Sequence, residues 1–287
     1  MKPGSLSQSM RALLATLALL VTAATVAQEP TFARIAEDSS GDPLTLQVAI
    51  ASYRIEWNGV PRQVDLIGAV HIGEPGYYAS LNEIFSDYDA VLYELVAPAG
   101  TRVQPGQRPD SWLSKTQFAM TQGLDLSFQL EEIDYQAENL VHADLSPKEF
   151  AAAMKARGES PFVMFWRGFS YSIRQGAINQ MPQNQAQMFK DLFGSKGDQG
   201  IKVFLARELT RLDTLSQMLG SDADNTIIGA RNERAIDVLT ATLDKTDHER
   251  IGIFYGVAHL PDFDRRLTED LEFERNGERW LDAWFLQ

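Results

Sequence analysis

The hydrophobic and polar positions of this chain fall into one arrangement that occurs twice, near its two ends. Residues 64–67 form an apolar run that ends in Gly68-Ala69-Val70-His71. Helical spacing follows over about 77–85, and a second apolar run, 90–95, then carries a lone carboxylate, Glu94. Near the C-terminus the apolar run 251–255 ends in Gly256-Val257-Ala258-His259, followed by a helical segment and a closing strand at 279–285. Two copies of strand–Gly-x-x-His–helix–strand predict an internal duplication. The fold class is therefore α/β, with duplicated β–GxxH–α–β units forming a central mixed sheet. In open sheets of this kind the crevice beyond the carboxyl ends of the strands is where ligands bind.

Between the two copies the periodicity changes. Residues 52–57 and 63–67 read as a hairpin; Asn58-Gly59 is the strongest short turn signal, although Pro61 argues for a longer loop. Residues 97–110, rich in Pro and Gly, read as loop. Residues 111–219 read as a mostly helical insertion. Within it, Ser146-Pro147-Lys148-Glu149 is a capping box with proline at the first helical position, closed by Gly158. The aromatic run from Phe162 to Tyr171 reads as core, its alternatives being a substrate wall or a homo-oligomer surface. An amphipathic helix is expected over 203–219, a short extended piece over 226–228 and a helix over 231–243. Residues 28–51 read as a flexible lead-in and 52–287 as one domain.

Composition changes the picture at the N-terminus. Lys2 and Arg11 precede an uncharged apolar stretch, 12–26, and Thr25-Val26-Ala27 is a small-x-small cleavage pattern. Residues 1–27 thus read as a secretory signal peptide, and the protein as exported, periplasmic or secreted. The stretch is shorter than the roughly 20 residues of a membrane span, and no stable span is expected after cleavage. The formal charge is -13, and loss of Lys2 and Arg11 takes the mature chain to -15. Such a charge disfavours nucleic acid and anionic lipid as partners. With no cysteine, disulfides and thiol chemistry are excluded.

The candidate chemistry lies in His71, Glu94 and His259. If the two copies lie side by side, both imidazoles converge over one sheet edge, and Glu94, set among Val91, Leu92, Tyr93 and Leu95, is costly to bury unless paired or metal-bound. Two imidazoles and a carboxylate suit a divalent ion (Mn, Co or Zn) with open positions for water, giving a hydrolase for a peptide or small-molecule carbonyl substrate. Two alternatives stand beside it. In one, no metal is used, and Glu94 orients His71 as general base in an esterase-like hydrolase. In the other, the histidines and aromatic run bind haem or a small ligand without turnover. Arg231, opening a helix beside the second copy, is a candidate to hold a substrate carboxylate or oxyanion, or to salt-bridge Glu94. His142 and Glu74 are candidate pocket residues; each also reads as structural, His142 bonded near a helix start and Glu74 as a solvent-facing cap. His248 reads as solvated. No serine nucleophile elbow, HExxH helix, glycine-rich phosphate loop or zinc-knuckle spacing occurs.

These residues also resemble a family. Gly68–His71, Leu92–Leu95, the helix beginning Arg231-Asn232, and Gly256–His259 resemble the TraB/GumN/Tiki pattern, itself similar to the erythromycin esterases and the ChaN-type haem-binding proteins. The resemblance covers roughly residues 52–287. It implies a Tiki-like fold and, as in the animal members, a metal-dependent protease using His71, His259 and Glu94. The chain departs from the pattern at Ala230, where members often carry an acid before the Arg-Asn pair.

Overall fold

A two-residue turn sets the frame of the sheet. In the computed structural model, Asn58 and Gly59 both have positive φ, 52° and 79°, the geometry that Asn-Gly adopts most readily. They join β2 (Pro43–Trp57) to β3 (Val60–Ala69) with Trp57 opposite Val60 and Glu56 opposite Pro61. Pro61 does not lengthen the loop as the sequence predicts. In a two-residue hairpin the Glu56–Pro61 pair is the non-hydrogen-bonded one, so the missing N–H lies on the far edge of β3, where the next strand begins only at Gln63.

The structure describes residues 30–98, 100–103, 126–158, 197–210 and 226–287. The signal-peptide segment, the aromatic run from Phe162 to Tyr171, and most of the expected helical insertion lie outside them. Thr31–Gln287 makes one compact unit. No helix among the described residues is long and apolar enough to cross a membrane.

Among the described residues the main sheet has seven strands, in the order β1 (Ala33–Glu37), β2, β3, β8 (Arg250–Gly256), β5 (Ala90–Tyr93) and β7 (Leu140–His142), with β9 (Glu274–Phe285) also on β2. One half is antiparallel: β1, β9 and β3 all run against β2. The other half is parallel: β8 lies between β3 and β5, and β7 follows β5. The sheet is therefore mixed, and the two Gly-x-x-His strands are immediate parallel neighbours, Gly68 beside Tyr255 and Ala69 beside Gly256. Their outgoing paths differ. The first copy leads through α1 (Pro75–Phe85) into parallel β5, whereas the second leads through α6 (Leu260–Arg265) into β9, which is antiparallel to β2.

Several expectations are corrected. Within the stretch 28–51, expected as a flexible lead-in, residues 33–37 form β1 and residues 43–51 the first part of β2. Phe32 and Ala33 are buried, but the exposed Arg34 and Glu37 of a short edge strand mask its pattern. Of the mostly helical segment expected over 111–219, the described residues carry α2 (Gln129–Glu132), α3 (Pro147–Ala156) and α4 (Gly197–Leu209), and with them β6 (Ser127–Phe128) and β7. Residues 226–230 form a π-helical turn rather than an extended piece, leading into α5 (Arg231–Lys245). The capping box is present in full, with Ser146 accepting from the Glu149 N–H and Glu149 accepting from the Ser146 N–H.

Buried aromatic and aliphatic residues from both sheet halves fuse into one core, including Trp284, Tyr53, Phe254 and Phe263. Trp284 of β9 also donates from Nε1 to the Ile72 carbonyl at 2.7 Å, tying the last strand to the residue that follows His71. A buried indole N–H needs such a partner.

Candidate functional site

The carboxyl ends of the parallel strands carry the candidate residues. Glu94 is the first residue beyond β5, not within it, and its N–H donates to the Phe254 carbonyl of β8 at 3.2 Å. His259 closes a single 3₁₀ turn beyond β8, and His71 follows β3 by two residues. Adjacent strands thus deliver all three residues to one edge of the sheet.

Glu94 is held at both oxygens. Oε1 accepts from Arg231 Nη2 at 2.7 Å, and Oε2 accepts from the Gly256 N–H at 2.6 Å. Burial alone pushes its pKa up, but Arg231, His259, His71 and the Gly256 N–H together bring it well below the usual carboxylate range. Gly256 is needed for that approach, because a Cβ there would stand 3.2 Å from Glu94 Oε2.

Arg231 is buried between two carboxylates. Its Nε donates to Asp144 Oδ1 at 3.0 Å, and its Nη2 to Asp144 Oδ2 at 2.5 Å as well as to Glu94. Asp144, whose side chain is fully buried, lies two residues beyond β7. With Glu94 and Asp144 ionised and Arg231 protonated, this trio carries one net negative charge.

His259 is buried, with Tyr255 and Phe263 packed against its ring at centroid distances of 5.2 and 6.5 Å. Asn232 fixes its tautomer. The Asn232 amide nitrogen donates to the His259 carbonyl and to Asp262 Oδ2, both at 3.0 Å, so its oxygen must face His259 Nδ1, 2.6 Å away, and accept the ring proton. Burial, only partly opposed by Glu94, lowers the His259 pKa to about 4, so the ring is neutral at neutral pH. Its Nε2 then carries a lone pair and faces Glu94 Oε1 at 3.6 Å. That contact is two acceptors facing one another, not an ion pair.

His71 is exposed and is held from the other side, its Nδ1 lying 3.2 Å from Gln129 Oε1. Its electrostatic influence reaches both Glu94 and His259. Its hydrogen-bond partner is Gln129 and not Glu94. As placed, no group of three His, Asp or Glu side chains among the described residues is gathered closely enough to hold an ion. The chemical set nonetheless matches divalent-ion ligands, with an ionised carboxylate, a neutral imidazole offering Nε2, and a second imidazole at the same edge.

The remaining candidates do not join the centre. His142 Nε2 bonds the Leu95 carbonyl at 2.6 Å, and its ring packs edge-on to Tyr93, a structural position. Glu74 is not a pocket acid; it occupies the N-cap position of α1, but its side chain is largely buried and makes no capping bond. It takes Lys202 Nζ and the Phe285 N–H, each at 3.1 Å, and so fastens the start of α1 to α4 and β9. His248 is half-buried, with its carbonyl accepting from Arg62.

Sequence reasoning passed over Asp144 and Gln129. The signal for Asp144 was present, since an acid ends a short apolar run in Leu140-Val141-His142-Ala143-Asp144 just as Glu94 ends β5. Gln129 carries no such signal. Comparison of the chain with family models, with curated proteins and with solved structures returns no match.

Proposed function

We propose that this protein is an exported, metal-dependent hydrolase of the TraB/GumN type, acting on a peptide or small-molecule carbonyl substrate, with His71, Glu94 and His259 holding a divalent ion such as Mn, Co or Zn. The observation that carries the reading is the His259–Glu94 contact. A neutral imidazole nitrogen and an ionised oxygen face one another at 3.6 Å, and a cation satisfies both. The net negative charge of Glu94, Asp144 and Arg231 favours a cation at the same point.

When bound, such an ion lowers the pKa of a coordinated water and polarises a carbonyl. The chain's own residues prepare the place. Arg231 and the Gly256 N–H keep Glu94 ionised and fixed. Asn232 keeps the His259 proton on Nδ1, and Tyr255 and Phe263 shield that ring from water. Because Nε and Nη2 of Arg231 already serve Asp144 and Glu94, its work is to position Glu94 rather than to bind substrate.

The metal-free alternative has less behind it. It needs Glu94 to orient His71 as the base, and the hydrogen-bond partner of His71 is Gln129 and not Glu94. Export rests on the N-terminal pattern of residues 1–27.

Elemental analysis of protein expressed to its natural compartment tests the proposal. Wild type is expected to hold metal in fixed stoichiometry, and His71→Ala and His259→Ala to lose it. Equal metal in wild type and both variants would overturn the assignment, as would full hydrolysis of a peptide or ester panel after exhaustive chelation.

A further inference from the structure

An exposed histidine is ordinarily free to carry its proton on either ring nitrogen, and in water the Nε2–H form predominates. His71 is exposed, yet its surroundings favour the other form. The segment carrying Gln129 is registered against the segment carrying His71 by the backbone. Ile72 of β4 (Ile72–Gly73) pairs with Phe128 of β6, Gly73 pairs with Ser127, and the Gln129 N–H donates to the His71 carbonyl at 2.9 Å. This small ladder sets Gln129 beside the imidazole.

The Gln129 side chain is itself buried and oriented. It is 4% exposed, and its amide nitrogen donates to the Tyr135 hydroxyl at 2.9 Å; Tyr135 is also buried. With that bond made, Oε1 is the amide atom that faces His71 Nδ1, 3.2 Å away. An amide oxygen only accepts, so the ring proton belongs on Nδ1 and the lone pair on Nε2. Across the sheet edge, Asn232 does the same for His259. Two imidazoles at one edge are thus each backed at Nδ1 by a side-chain amide oxygen.

We infer that Gln129 is a positioning residue that fixes His71 in the Nδ1–H tautomer and so presents Nε2 as an acceptor at the sheet edge. The inference rests on the functional reading above only for its purpose: a ligating histidine is oriented through its other ring nitrogen by a second partner. The proton's place is a property of the metal-free chain.

The test is long-range proton–nitrogen NMR of histidine-labelled, chelator-treated protein at mildly alkaline pH, with His71 assigned by its loss in His71→Gln. Wild type is expected to show a protonated Nδ1 and a bare Nε2 at His71. Gln129→Leu shifts His71 toward the Nε2–H pattern, whereas Gln129→Glu, which keeps an accepting oxygen, retains the wild-type pattern. The His259 signals report whether each variant keeps its fold. Wild type showing His71 with Nε2–H overturns the inference without any variant, and so does an unchanged His71 pattern in folded Gln129→Leu. Because the measurement contains no metal, a chain with the expected tautomer that binds none refutes the hydrolase reading alone. A chain that binds metal with His71 in the other form refutes this inference alone.

Discussion

Glu94 Oε2 lies 2.6 Å from the Gly256 N–H, and the same oxygen would lie 3.2 Å from a Cβ at Gly256. The bond and the room for it come from one residue. Gly256→Ala is therefore expected to push the carboxylate a few tenths of an ångström off its place. Overpacking of this kind costs about 1–3 kcal/mol, and disturbing a ligand's support weakens metal affinity about 10-fold or more. Thermal melting and metal titration of the variant check both. An affinity equal to wild type would show that Glu94 needs no such support.

Arg231 stands between Glu94 and Asp144 with almost no access to solvent. Removing a buried cation strands its partners, which typically costs about 3–5 kcal/mol. Arg231→Met should lose stability on that scale in urea unfolding, well beyond Asp144→Asn, which leaves Arg231 paired with Glu94. Arg231→Lys should fall between wild type and Met, because one ammonium cannot reproduce the fork that spans two carboxylates. If Met at this position is as stable as wild type, the trio is not the electrostatic anchor of this sheet edge.

The sequence made the convergence legible and hid its supports. His71 and His259 end apolar runs with the same Gly-x-x-His step, and β3 and β8 are indeed adjacent and parallel. Glu94 was visible as a lone acid among apolar neighbours. Asp144, an acid closing a short apolar run, was passed over because β7 has only three residues, too few for a period to stand out from a stretch of helical character. Gln129 was hidden for another reason. A buried amide has no sequence pattern, and its role exists only once β4 and β6 pair. Pro61 misled for want of the register, since the cost of a proline in a strand depends on which edge its nitrogen faces. The differing partners of β5 and β9 arise from long-range pairing that two similar local patterns do not encode.

The capping box at α3 gives a pH dependence of definite sign. Glu149 has its pKa lowered from 4.5, chiefly by the hydrogen bonds with Ser146 and with slight help from Arg234 and His142. A carboxylate depressed on folding contributes its stability fully above the unfolded pKa and loses it as pH falls through the folded value. Glu149's own contribution should therefore hold from neutral pH down to about 4.5 and then decline. His259, lowered to about 4 by burial, adds a separate decline that starts near pH 6.5 in wild type and Ser146→Ala alike. Ser146→Ala removes the hydroxyl half of the box and keeps the Ser146 N–H bond to Glu149. It should cost about 1 kcal/mol at neutral pH and make the Glu149 part of the acid profile shallower. An acid profile below about pH 4.5 identical to wild type would mean that Glu149 does not owe its ionisation to the Ser146 hydroxyl.

The facing acceptors of His259 and Glu94 predict a linkage between metal and stability. With His259 Nε2 and Glu94 Oε1 3.6 Å apart and no proton between them, their repulsion is present in the apo chain and relieved when a cation joins both. A ligand that binds only the folded state at 100 times its Kd adds about 2.7 kcal/mol. Chelated wild-type protein titrated with Mn, Co or Zn should therefore melt several degrees higher, with the shift growing as the logarithm of metal concentration. His259→Gln and Glu94→Gln each remove one of the two acceptors, so each should show little shift whatever its own melting temperature. The comparison is between shifts within each protein, which separates loss of the site from loss of the fold. Equal shifts in wild type and both variants would place the binding elsewhere, and no shift in wild type would leave the two lone pairs to be satisfied by water alone.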